Sequence, residues 1–82
     1  MLKNELLSEI IVLMRELEHD NVVPSNTKEK IVNGIETLNG DIDLSVKASK
    51  VINEIEDVSQ NNNLESYTRT QLWNIVSLLE KL

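Results

Sequence analysis

The spacing of apolar residues constrains this chain more than any other feature. From Leu6 to Leu17 it reads Leu-Leu-Ser-Glu-Ile-Ile-Val-Leu-Met-Arg-Glu-Leu. At about 100° per residue, Leu6, Leu7, Ile10, Ile11, Leu13, Met14 and Leu17 spread over roughly 180° of a helix. A surface helix usually carries a stripe of about 100°. A helix with the wider arc has to meet more than one neighbour. Toward the other end of the chain, Leu72, Trp73, Ile75, Val76, Leu78, Leu79 and Leu82 cover more than half of a second circumference.

The same pattern returns at an offset of 41 residues, without a gap. Ile10 falls on Val51, Ile11 on Ile52, Met14 on Ile55 and Leu17 on Val58. Val23 falls on Leu64, Ser25 on Ser66, Thr27 on Thr68 and Lys28 on Arg69. Ile31 falls on Leu72, Asn33 on Asn74, Ile35 on Val76 and Leu38 on Leu79. The reading is two helical hairpins of one design, each covering the apolar face that the other cannot bury alone. Two units are fewer than a solenoid needs, so a closed four-helix bundle is expected.

The chain then divides as follows. Helix 1 runs from about Lys3 to His19, with Asn4 as its N-cap. Val22, Val23, Pro24 and Ser25 form a connection in which Pro24 biases Val23 away from helical geometry and Ser25 caps. Helix 2 runs from about Asn26 to Leu38. Gly34 inside it costs roughly 1 kcal/mol against Ala, which points to close approach of another helix. Asn39-Gly40 suits a left-handed helix end. Asp41 or Asp43 caps helix 3, from about Leu44 to Ser59, where Lys50 and Glu54 form an i,i+4 pair. Gln60 to Asn63 is a polar loop, and Ser66 caps helix 4, which runs to about Lys81. Residues 1–82 thus form a single domain, with hairpin one over 3–38 and hairpin two over 44–81.

Composition agrees. Of 82 residues, 40% are apolar, and aromatics are limited to Tyr67 and Trp73. With two Gly and one Pro, tight turns are too scarce for a β-sandwich, so the fold is all-α. The absence of cysteine removes disulfides, thiolate metal sites and a cysteine nucleophile, and suits a reducing cytoplasmic setting. Fourteen acidic residues against eight basic ones give a net charge of −6. That balance opposes direct binding to nucleic acid or to an anionic membrane. Leu6–Leu17 is too short and too charged for a signal-peptide core or a membrane span.

A string in the second half is distinctive: Tyr67-Thr68-Arg69-Thr70-Gln71-Leu72-Trp73-Asn74-Ile75-Val76-Ser77, preceded by Val58-Ser59. Together with Asn21-Val22-Val23-Pro24, it resembles a family of small archaeal proteins, uncharacterised protein family 0147. The resemblance covers residues 7–82 and is most specific at Arg69 to Val76. It implies an all-helical, cytoplasmic, archaeal protein of unknown function, and it supplies neither a reaction nor catalytic residues. Family members tend to carry Pro in the second loop, where this chain has Glu65.

Candidate chemistry is sparse. Glu16 and His19 have the Glu-x-x-His spacing of di-iron bundles, but such sites need a second copy of the motif. The repeat partners here are Asp57 and Gln60, so no metal site is expected. No P-loop, Gly-rich dinucleotide turn or zinc spacing occurs. His19 is the sole imidazole and lies at a helix end, so no catalytic residue, cofactor or enzyme activity is assigned. Lys28 and Arg69 sit in equivalent first turns, where a cation is mildly unfavourable. They are read as polar anchors to a carboxylate or to loop carbonyls, with an anion or peptide-carboxylate site as the sharper alternative. Trp73 is read as core rim, or as an interface anchor.

The expected function is a non-enzymatic protein–protein interaction or scaffold module, with a homodimer as one form. Its candidate interface is Val12, Leu13, Trp73, Leu78 and Leu82, the surplus of the two wide apolar arcs. The alternative is an accessory subunit of a translation or nucleic-acid-associated complex that docks through protein contacts.

Overall fold

A computed structural model describes residues 2–61 and 63–82. Among the described residues there are four α-helices: α1 (Lys3–Glu18), α2 (Ser25–Leu38), α3 (Leu44–Asn61) and α4 (Ser66–Leu79). At 14 residues each, α2 and α4 fall in the range where an isolated helix is marginal in water, so tertiary packing has to hold them. Each packs on two neighbours: α1 on α2 and α4, and α3 on α2 and α4. Short connections make consecutive helices antiparallel, and the ring closes where α4 meets α1. The bundle measures 32 × 21 × 19 Å.

The wide arcs of the sequence are explained by this ring. On α1, Leu6, Ile10, Met14 and Leu17 are buried, while Leu7, Ile11 and Leu13 pack partly buried at the flanks against the adjoining helices. Several buried positions recur at the 41-residue spacing. Ile10 and Val51, Met14 and Ile55, Thr27 and Thr68, Ile31 and Leu72, and Leu38 and Leu79 are all buried. Val23 and Leu64, in the two loops, are buried as well. The helix starts repeat too, Lys3 with Leu44 and Ser25 with Ser66.

The helix ends differ from the sequence reading. Ser25 and Ser66 are the first helical residues and not the caps. The cap positions belong to Pro24 (φ −60°, ψ 151°) and Glu65 (φ −67°, ψ 151°), neither with a side-chain cap bond. Their carbonyls accept from Lys28 N–H and Arg69 N–H, each at 3.0 Å. Both residues are extended, as a cap position requires, so the helix begins at the serine that follows. On α1 the cap is Leu2, whose carbonyl accepts from Leu6 N–H at 3.0 Å. Asn4 is inside the helix, and its Oδ1 accepts from the next N–H, that of Glu5, at 3.0 Å. Asp43 precedes α3 as expected, and its carboxylate accepts from Ser45 Oγ at 3.0 Å.

Three helix C-termini also depart from expectation. No residue described has a positive φ, so neither Asn39 nor Gly40 takes the left-handed position. Asn39 stays near-helical (φ −86°, ψ −3°), and Lys47 reaches back from α3 instead. Its Nζ donates to Leu38 O at 3.0 Å and to Gly40 O at 2.9 Å. At the end of α3, Gln60 and Asn61 continue the helix beyond the predicted stop at Ser59. The Asn62 part of the predicted polar loop lies outside the described residues. Helix α4 ends at Leu79, two residues before Lys81. The Lys50–Glu54 pair does not form; among the described residues the ion pair is Arg15–Glu18, at 3.9 Å.

Gly34 explains why α2 is the close-set member of the ring. A Cβ there would lie 2.9 Å from Met14 Cε of α1 and 3.3 Å from Val51 Cγ1 of α3. The 41-residue offset puts Ile75, itself buried, at the equivalent place on α4. A β-branched residue needs space that a glycine does not. Accordingly the backbone of α2 approaches α1 and α3 more closely than that of α4 does.

Three outcomes are expected. Gly34→Ala changes stability by less than about 1 kcal/mol, because helix propensity gained is offset by crowding at Val51. Gly34→Leu destabilises by about 2–3 kcal/mol and lowers Tm by roughly 10–20 °C in a circular-dichroism melt. Glu65→Pro, at a proline-compatible φ and with no hydrogen bond from Glu65 N–H among the described residues, stabilises by about 0.5–1 kcal/mol in the same assay.

Candidate interaction surface

The surface of interest is built by α1 and α4 on the side where the ring closes. Leu13 on α1 and Leu78 on α4 are partly buried against the core, as is Leu82 just beyond α4. Val12 stands next to Leu13 but about 100° further round the helix, and is 56% exposed. At the end of this seam lies a groove of about 540 Å³, lined by Lys3, Leu6 and Glu9 from α1 and by Leu78 and Lys81 from the α4 end. The helical spacing of these residues accounts for the grouping. Residues 3, 6 and 9 recur every third position along one flank of α1, and 78 and 81 do so at the end of α4.

The five residues expected at an interface are not brought onto one face. Trp73 lies five positions from Leu78, about 140° away around α4. It is 47% exposed, so it is neither core nor part of the α1/α4 seam. Tyr67 is more exposed still and does not pack into the other hairpin. The geometry therefore separates the partly buried Leu13, Leu78 and Leu82, with the exposed Val12 beside Leu13, from an exposed aromatic on another face.

Lys28 and Arg69 each lie in the first turn of their helix. Lys28 is half-buried and Arg69 exposed. Among the described residues neither side chain makes a hydrogen bond or ion pair. It is their backbone N–H groups, bonded to Pro24 O and Glu65 O, that tie down the first turns. Glu16 and His19 gather no metal site: among the described residues there is no group of three or more His, Cys, Asp or Glu placed to hold an ion. No described helix is long and apolar enough to cross a membrane.

Sequence reasoning missed Lys3, Leu6, Glu9 and Lys81 as groove residues, and Lys47 as the clamp on α2. One signal was available. The offset aligns Leu6 with Lys47 and Glu9 with Lys50, so the two halves differ in charge where the rest of their pattern agrees.

Lys47→Met keeps the aliphatic stem and removes the ammonium. It is expected to cost about 1–2 kcal/mol in urea unfolding, with the loss reduced at high salt because the site is partly exposed.

The comparisons with known proteins agree with this architecture. The model of the Uncharacterised protein family (UPF0147) matches residues 1–82. A UPF0147 protein of Methanothermobacter thermautotrophicus is 33% identical over 82 residues, covering 99% of this chain and 80% of its own. One of Archaeoglobus fulgidus is 32% identical over 76 residues, covering 93% and 87%. The crystal structure of the unknown function protein MMP1188 superposes with a TM-score of 0.94 at 30% identity, covering 99% of this chain and 93% of that one.

Proposed function

The chain belongs to the Uncharacterised protein family (UPF0147), and from that premise we propose that it is a non-enzymatic protein–protein interaction module. Its contact surface is the α1/α4 side. The observation that carries this reading is that Leu13, Leu78 and Leu82 are covered only in part by the chain's own fold, with Val12, beside Leu13, 56% exposed. A net charge of −6 keeps such a surface soluble while it waits for a partner.

The test is photo-crosslinking in the source cell, with a photoreactive residue placed at position 12 or 78 and, as a control, at the exposed Ser49 of α3. Discrete adducts are expected from 12 and 78 and not from 49. Absence of discrete adducts from 12 and 78, or equal yields from 49, ends this reading. Light scattering over a concentration series then identifies self-association. A mass rising from 9.3 kDa toward twice that value, and held at the monomer by Leu78→Lys, makes the partner a second copy.

A further inference from the structure

The dipeptide Asn-Gly occurs twice in the chain, at Asn33-Gly34 and at Asn39-Gly40. Asparagine is a thermolabile residue. A following glycine, with no Cβ, leaves its own backbone nitrogen open to the asparagine side chain. Both asparagines are exposed, and neither side chain makes a hydrogen bond among the described residues. What separates them is the backbone. Gly34 is buried inside α2, and Asn33 O accepts from Thr37 Oγ1 at 3.0 Å as well as in the helical ladder. Gly40 lies beyond Leu38, the last helical residue, and is exposed, with its N–H bonded to Thr37 O at 3.1 Å.

We infer that Asn39 is a site of spontaneous deamidation in the folded protein, that α2 protects Asn33 from the same reaction, and that Lys47 restrains it at Asn39. The Gly40 backbone nitrogen attacks Asn39 Cγ. The N–Cγ bond forms, the Cγ–Nδ2 bond breaks, and Nδ2 leaves as ammonia, taking up the Gly40 N–H proton. Water then opens the succinimide at one of its two carbonyls, giving aspartate or isoaspartate; nothing is oxidised or reduced. At either asparagine, the following peptide has to turn out of its near-helical setting before its nitrogen reaches Cγ. At Asn33 that turn breaks α2 between Ile31 and Ile35, both buried in the core. At Asn39 (φ −86°, ψ −3°) it breaks the Gly40 N–H bond and the hold of Lys47, whose Nζ donates to Leu38 O at 3.0 Å and to Gly40 O at 2.9 Å. Those two carbonyls flank the 39–40 peptide, so the ammonium fixes the group that has to move. A helix end opens at a lower free-energy cost than a packed helix centre. Isoaspartate carries the main chain through Cβ and Cγ, which inserts one atom between the carbonyls that Lys47 joins.

The experiment follows the full chain over time in neutral buffer, folded and in urea. Cleavage after Lys30 and Lys47 releases both asparagines in one peptide. Fragmentation mass spectrometry then assigns each conversion to its residue and separates aspartate from isoaspartate. In the folded chain, conversion at Asn39 is expected to outpace that at Asn33 by at least about tenfold, and in urea the two rates converge. Lys47→Met, cleaved after Lys50 instead, is expected to raise the folded rate at Asn39 several-fold and to leave Asn33 unchanged. If that variant does not fold, Lys47→Gln, which keeps a neutral donor, takes its place with the same expectation. Equal folded rates at the two residues, or no conversion at Asn39 over a period that converts the unfolded chain, overturns the site. An unaltered Asn39 rate in the folded variant, or a rise at both residues together, overturns the part assigned to Lys47.

Discussion

The close approach of α2 to its neighbours is the constraint on which the rest of the bundle depends. Gly34 gives up helix propensity so that Met14 and Val51 can occupy the space a side chain would take. Both of those residues are fully buried, and they belong to the two helices that α2 joins. With Ile75 at the equivalent place on α4, the ring cannot be symmetric. One flank is drawn tight and the other is held open by a side chain. The groove between Lys3, Leu6, Glu9, Leu78 and Lys81 lies on the open flank.

Energetically the bundle is a small core with little surplus. A domain of this size buries a modest fraction of its surface, and its net stability is a small difference between large terms. Individual devices at helix ends therefore carry weight out of proportion to their number. Pro24 and Glu65 set the entry to α2 and α4 through backbone geometry, and Lys47 closes α2 with a charged donor. Each acts where a helix would otherwise leave backbone groups without partners.

Much of this architecture was legible in the sequence. Apolar spacing located all four helices, the offset matched the burial of Ile10 with Val51 and of Thr27 with Thr68, and Gly34 signalled a close helix approach. The helix ends were legible only to within a residue or two, because capping depends on which residue turns extended, and Ser25 and Pro24 compete for that place. Gly40 was misjudged because a lysine nine residues from Leu38 replaced the left-handed turn, and propensity rules see only local sequence. Trp73 was drawn into the apolar arc by its hydrophobicity, although its position lies outside the buried set of Leu72, Ile75, Val76 and Leu79. The groove was not legible, since it arises from a difference between two seams and not from a motif.

Chain connectivity gives the open flank one further property. Three of the four helix pairings join elements adjacent in sequence and need only short loops to close. The pairing of α1 with α4 joins opposite ends of the chain, so closing it carries the largest loop entropy. It is therefore the pairing that topology places last in folding, and it is also a loosely packed one. A segment with that combination opens most readily under native conditions. Reopening that junction leaves the α1–α2 and α3–α4 hairpins intact on either side.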